Sequence, residues 1–420
     1  MTSRTEEARQ VLRTNDRGGY TVPTARLYPF QWNWDSAFVA MGFATFDEPR
    51  AWDELDHLAK GQWEDGLIPQ IIFHAPSDDY FPGPDVWQIE RTPPTTGITQ
   101  PPVIATAARR IWQRSATPKA ATDRLKTLYP ALLAYHRWFA TARDPQSTGL
   151  VTTLHPWETG MDNSPAWDIP MARVPTTTET TIRRRDTSHI DPAMRPRAED
   201  YQRFIHLVDT FRHAGWNPAR MMAASPLRVA DIATNAILLR AERDLLAIAE
   251  ALGTPAEQAE IAARITLMQA AISELWNPEH GLFTSRDLID GSPLAPATSA
   301  GFLPLFAGAA TPQQAAAMRE TLHRWAKAGH LVPSTDPHSE KFEPLRYWRG
   351  PSWAVVNWMI AEGFADMGDA HSASLIRHHT SDLIAQAGFA EYFDPQTGTG
   401  AGGASFSWTA AIWLLLEEAK

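Results

Sequence analysis

Residues 155–165 read His155, Pro156, Trp157, Glu158, Thr159, Gly160, Met161, Asp162, Asn163, Ser164 and Pro165. An imidazole, an indole, two carboxylates and an amide crowd into a stretch punctuated by Pro and Gly. That punctuation marks a loop, and loops on a rigid scaffold carry chemistry. A carboxylate beside an indole suits the cleavage of sugars. The indole face stacks on the apolar face of a sugar ring, and its low-dielectric surface raises the pKa of a neighbouring acid.

Glycoside hydrolysis uses two carboxyl groups, one on each side of the anomeric carbon. Asp162, in the turn after Gly160 and near Trp157, is the first candidate. An Asx-turn or helix cap is the competing reading of the same residue. Glu391 is the second, an acid among Phe389, Ala390, Tyr392 and Phe393 just before Asp394-Pro395. Such an acid is paired, catalytic or exposed on an edge. A third segment runs Tyr28, Pro29, Phe30, Gln31, Trp32, Asn33, Trp34, Asp35, Ser36. Asp35 is expected to cap the helix that follows, at a position from which it also reaches sugar hydroxyls. A fourth, Arg346 to Trp353, sets two Arg and three aromatics at the start of an apolar helix. Helix N–H groups and Arg both favour an anion there, against plain aromatic packing with a surface Arg.

Other features weigh less. Gly398, Gly400, Gly402 and Gly403 lack the context of a dinucleotide or P-loop and read as a flexible turn. His371, His378 and His379 share one helix and read as a solvated face, as does the run Arg183 to Arg185, whose place in the lid-like region offers service to an anionic substrate as the alternative. No metal-binding motif is present, so neither a metal nor a cofactor is expected.

These residues need a scaffold, and the chain of 420 residues supplies one that is mostly helical. Apolar residues recur at helical spacing over 35–46, 49–62, 101–114, 119–142, 198–215, 227–252, 255–276, 294–306, 312–327, 350–367, 369–386 and 405–418. Pro49, Pro101, Pro118, Pro255, Pro296 and Pro312 stand near helix starts. Segments such as Trp353 to Val356 and Ile412 to Leu416 are apolar nearly all round, whereas others carry a polar face. Alternation of the two kinds in about six pairs fits an all-α (α/α)6 barrel, a toroid with long irregular loops. No fixed repeat period argues for a helical array. No linker divides the chain, so residues 1–420 read as one catalytic domain with a lid-like insertion around 165–197. Short strands are expected near 281–287 and 388–394.

The formal net charge of −10 argues against a nucleic-acid partner. Without cysteine there is no disulfide framework and no thiol nucleophile. The polar stretch Met1 to Thr21 has no secretory h-region, and no apolar run reaches membrane-span length. A cytoplasmic protein is expected, with a homo-oligomer left open. The 17 Trp, many beside Gly, Pro, Asp or Asn, suggest a sugar-stacking surface.

Together the segments Tyr28 to Asp35, Glu158 to Pro165, Tyr347 to Trp353 and Glu391-Tyr392 resemble family 63 glycoside hydrolases. The resemblance is greatest to their bacterial branch of mannosylglycerate and glucosylglycerate hydrolases, and it spans essentially the whole chain. It implies a single (α/α)6 barrel and inversion at the anomeric carbon. Asp162 matches the general acid and Glu391 the general base. Trp32, Trp34 and Asp35 match residues holding the sugar, with Trp353 lining the same subsite. Tyr28 belongs to the same motif. Tyr80, Gln100, Tyr347 and Trp348 match glycerate contacts, Trp157 a loop aromatic over the substrate, and Arg195 a lid Arg reaching the glycerate carboxylate. An inverting pair stands roughly 6.5–9.5 Å apart to admit a water. The expected substrate is a small anionic glycoside, 2-O-α-D-glucosyl-D-glycerate or 2-O-α-D-mannosyl-D-glycerate. An α-glucosidase for neutral disaccharides or glycans and a non-catalytic sugar-binding toroid are the rivals.

Overall fold

A computed structural model describes residues 3–418. Met1 and Thr2, the start of the segment read as polar, and residues 419–420 lie outside the described residues. Twelve helices among the described residues build two concentric rings. The inner ring consists of α2 (Asn33–Ala44), α4 (Ile104–Arg114), α6 (Ile232–Leu252), α8 (Leu303–Phe306), α10 (Ala354–Asp366) and α12 (Ser407–Glu418). Each packs on the next, and α12 returns against α2, so the ring closes. The outer ring is α1 (Arg4–Asn15), α3 (Glu48–Lys60), α5 (Pro118–Trp138), α7 (Pro255–Ser273), α9 (Pro312–Trp325) and α11 (Ala370–Ala387). This is the (α/α)6 barrel.

The two rings differ because their sequences do. Every residue of α12 from Ser407 to Leu416 is buried, and so is every residue of α10 from Ala354 to Ala361. A helix apolar on all sides is stable only when surrounded. Small residues let the inner helices approach closely: a Cβ on Gly42 would lie 2.6 Å from the Cβ of Ala411. Outer helices expose one face, and all but α5 start at side-chain caps. Asp47, Thr254, Thr311 and Asp369 each accept a backbone N–H of the first turn. Such caps contribute about 1 kcal/mol each.

Three assignments differ from the sequence reading. The outer partner of α12 is α1, whose polar composition had marked it only as lacking a signal segment. Conversely, the predicted helix at 198–215 forms, as Ala198–His213, but stands outside the rings. It anchors the insertion through a second apolar cluster that includes Trp32, Phe81, Trp87, Trp157, Tyr201 and Phe204. The inner-ring segment expected over 294–306 is mostly a 3-10 turn, Ser299–Phe302, running into the single turn of α8. Short strands form where expected, at Leu282–Phe283, Arg286–Asp287 and Tyr392–Phe393.

Candidate active site

The segments that enter the inner helices converge at one end of the barrel. There they enclose a cavity lined by Tyr28, Trp32, Trp34, Asp35, Tyr80, Gln100, Trp157, Asp162, Arg195, Tyr347 and Glu391. All eleven were singled out in the sequence. Trp348 and Trp353 are not in the lining, which departs from the expectation that they touch substrate. Their rings stack on one another with centroids 3.8 Å apart and planes nearly parallel. Trp348 in turn packs at 6.2 Å from Trp34. They form a floor beneath the lining. Both indoles are fully buried.

Asp162 projects from a loop held by a dense set of hydrogen bonds. Residues Pro156–Thr159 make a 3-10 turn, and His155 Nδ1 accepts the Trp157 N–H at 3.0 Å. The other ring nitrogen, Nε2, faces the Phe204 carbonyl at 3.0 Å, so it carries the proton. Burial lowers the His155 pKa to about 3, and the ring stays neutral. Thr159 Oγ1 donates to Pro156 O and accepts the Met161 N–H. The Trp167 indole donates to Met161 O, and Asn163 Oδ1 accepts the Trp348 N–H at 2.9 Å. Gly160 has φ +68°, and a Cβ there would lie 2.4 Å from the Trp34 ring. Glycine is required on both counts. With its neighbours fixed, the Asp162 carboxyl is left facing the cavity. Burial raises its pKa from 3.8 to about 7, with Arg195 opposing and Glu391 and Asp186 reinforcing the shift.

Glu391 immediately precedes the strand Tyr392–Phe393, which pairs with Gly400–Ala401. Its Oε1 accepts from the Tyr28 hydroxyl at 3.0 Å and its Oε2 from the Gly403 N–H at 2.9 Å. The glycine-rich stretch is therefore a fixed cradle, a correction to its reading as a flexible turn. At Gly402, φ is +72° and a Cβ would meet Glu391 Oε2 at 2.3 Å. Burial raises the pKa of Glu391, against Arg195, the Gly403 N–H and the Tyr28 hydroxyl, which hold it down.

Arg195 lies closer to Glu391 than the reading as a lid Arg implied. Its Nη1 is 3.6 Å from Glu391 Oε1, its Nη2 donates to Tyr28 Oη at 2.8 Å, and its Nε donates to Asp186 at 3.1 Å. The Tyr347 ring lies 4.1 Å beneath the guanidinium. Nη1 is buried without a protein hydrogen-bond partner. Asp35 is the third residue of α2 and not its cap; the capping position is Trp32, and the carboxyl turns into the cavity instead. Burial raises its pKa well above the usual range.

Sequence reasoning missed Asp186, Tyr201, Gln70, Phe81, Phe406 and Trp408 in the lining. The pair Phe406 and Trp408 carried a readable signal. They flank Ser407 at the head of an apolar helix just as Trp32 and Trp34 flank Asn33. Asp186 followed an Arg run read as solvated. In the structure Arg183 and Arg185 are exposed, whereas Arg184 turns inward to pair with Asp186 and lies over the Tyr201 ring. Among the described residues no group of three His, Cys, Asp or Glu side chains is placed to hold a metal ion. No helix among them is long and apolar enough to cross a membrane.

Known proteins share this fold and much of this sequence. Residues 28–409 match the family described as mannosylglycerate hydrolase MGH1-like glycoside hydrolase domain. A mannosylglycerate hydrolase of Thermus thermophilus is 49% identical over 97% of this chain and 99% of its own. A glucosylglycerate hydrolase of Mycolicibacterium hassiacum is 35% identical over 97% of this chain and 96% of its own. The crystal structure of a family 63 mannosylglycerate hydrolase from Thermus thermophilus, in complex with Tris and D-glycerate, superposes with a TM-score of 0.96. That chain is 48% identical, and the match covers 99% of this chain and all of the other. A barrel closed by six helix pairs, two carboxyl groups on one aromatic cavity and a family match across nearly the whole length lead to one conclusion: this chain belongs to the mannosylglycerate hydrolase MGH1-like family of glycoside hydrolases.

Proposed function

We propose that this chain hydrolyses, with inversion, the α-glycosidic bond of 2-O-α-D-mannosyl-D-glycerate, 2-O-α-D-glucosyl-D-glycerate or both. The observation that carries this reading is the pairing of Asp162 and Glu391 on one cavity beside a single buried guanidinium, that of Arg195. Asp162, with its pKa near 7, holds a proton at neutral pH. It gives that proton to the glycosidic oxygen as the bond to the anomeric carbon breaks. Glu391, an acceptor held by Tyr28 and Gly403, takes a proton from the water that attacks the opposite face. Free sugar of inverted configuration and glycerate leave, and one proton passes from Glu391 through solvent back to Asp162.

Trp32, Trp34 and Asp35 hold the sugar in this reading, and Trp157 closes over it. Tyr28, Tyr80, Gln100 and Tyr347 supply polar contacts to glycerate. The free N–H of Arg195 Nη1 offers its carboxylate a charged donor, a role that a neutral disaccharide would leave unfilled. Trp348 and Trp353 act from beneath, by fixing Trp34 and Tyr347. Residues 1–420 form one catalytic domain with the insertion as its lid, working in the cytoplasm, with no nucleic-acid partner; self-association is compatible with this reading.

Time-resolved NMR of the protein with both glycosides tests the reading. Release of β-sugar from an α-linked substrate is the expected result, and the relative rates give the sugar preference. Release of α-sugar would overturn inversion. Absence of turnover with both glycosides, together with turnover of a neutral α-glucoside, would overturn the substrate class.

A further inference from the structure

The acid nearest Trp157 in sequence is Glu158, yet Glu158 does not line the cavity. Its carboxylate points into the barrel wall. Oε1 pairs with Arg143 Nη2 at 2.5 Å, and Oε2 accepts the Leu154 N–H at 2.9 Å. Both side chains are almost fully buried. Arg143 ends a π-helical segment, Phe139–Arg143, that continues α5, and its guanidinium lies 4.7 Å from the Trp138 ring centroid. Single π-helical turns inside longer helices recur at functional positions. Here the widened turn brings Arg143 to the loop that carries Asp162. Thr152 N also donates to Arg143 O, so the π-turn holds the stretch of chain leading into that loop.

We propose that Glu158, clamped by Arg143, is a positioning residue that sets the aim of the Asp162 carboxyl. This inference rests on the proposed role of Asp162 as proton donor. The 3-10 turn Pro156–Thr159 is held at one end by the His155 ring and in its middle by Glu158. Asp162 stands just beyond its end, and the Gly160 turn between them packs without clearance on Trp34. Trp157, in the same turn, is pinned separately by His155 Nδ1, so a shift that starts at Glu158 runs through Gly160 to Asp162 and leaves Glu391, Tyr28 and Arg195, which other segments hold.

The test compares two leaving groups. A glyceryl oxygen must be protonated as it departs, so it needs Asp162; fluoride leaves as the anion and does not. Turnover of mannosylglycerate and glucosylglycerate is measured beside that of α-mannosyl and α-glucosyl fluoride, for the natural chain, Glu158→Gln and Asp162→Asn. Glu158→Gln keeps an acceptor for Leu154 N–H but removes the charge facing Arg143. The expected result is a kcat on the glycerate glycosides lower by about 10–100-fold, a part of the roughly 10²–10⁴-fold that a positioned acid contributes. KM stays within about twofold, and the fluorides are hydrolysed as by the natural chain. An equal loss on both leaving groups, or no loss on either, overturns the proposal. Arg143→Lys keeps the charge with a shorter reach and guards against a failure of Glu158→Gln to fold. It is expected to show the same selective loss, to a smaller degree, and an equal loss on both leaving groups overturns the proposal here too. Inactivity of the natural chain on every substrate would instead remove the underlying assignment of function.

Discussion

Arg195 and Glu391 approach to 3.6 Å, with the Tyr28 hydroxyl bonded to both. The insertion supplies the cation, and the chain entering the last inner helix supplies the carboxylate. The state of the candidate base is thereby tied to the placement of the segment that covers it. Asp186 completes the arrangement by pairing with Arg195 from the other side.

Tyr28→Phe tests this link. The substitution removes one donor to Glu391 and the acceptor of Arg195 Nη2, and leaves the ring in place. The hydroxyl holds the Glu391 pKa down, so its loss raises that pKa further. The low-pH limb of the kcat profile is expected to move to higher pH, with a loss of about tenfold below the shifted limb. An unmoved limb would show that Tyr28 does not act on Glu391.

The natural enzyme should give a bell-shaped profile. Activity rises as Glu391 ionises, above the ordinary glutamate value because its pKa is raised. It falls as Asp162 ionises, near pH 7. A kcat/KM profile flat from about pH 6 to 9 would contradict the assignment of Asp162 as proton donor.

Asp162→Asn should lower kcat on the glycerate glycosides by about 10²–10⁴-fold. It also has a signature in stability. The folded-state pKa of Asp162 lies above the unfolded value near 3.8, so the natural chain loses stability as pH rises from about 4 to about 7. Asparagine does not titrate. The difference in melting temperature between variant and natural chain should therefore shift in favour of the variant across that window and level off above it. Thermal melts at about pH 4, 6 and 8 read this out.

Gly160→Ala forces a side chain into left-handed backbone and against Trp34. Left-handed geometry costs roughly 1–2 kcal/mol and overpacking roughly 1–3 kcal/mol. A loss of about 2–5 kcal/mol in urea unfolding is expected, with a fall in turnover because the loop cannot keep its course. A variant as stable and active as the natural chain would mean that the loop relaxes freely.

The chain's periodicity and its aromatic-acid segments determined much by themselves. Helices apolar on every side have one soluble solution, which is to be wrapped by others, so an inner and an outer ring followed from composition along the chain. The residues of Tyr28 to Asp35 and His155 to Pro165 were legible as a candidate site because Trp and acid occur together where helices begin or cannot continue. Tertiary structure decided what side-chain type leaves open, namely direction. Glu158 and Asp162 lie close in sequence and are chemically alike, yet Arg143 draws the first into the wall while Gly160 turns the second toward the cavity. By resemblance Trp348 matches a glycerate contact and Trp353 a lining residue of the sugar subsite, and the fold buries them face to face. Asp186, which carried no signal in the sequence, is drawn into the site by pairing with Arg184 and Arg195. Local sequence carries the propensity of backbone and the chemistry of each group. Whether a group meets solvent, substrate or a buried partner depends on contacts between distant segments, and only the closed barrel brings these together.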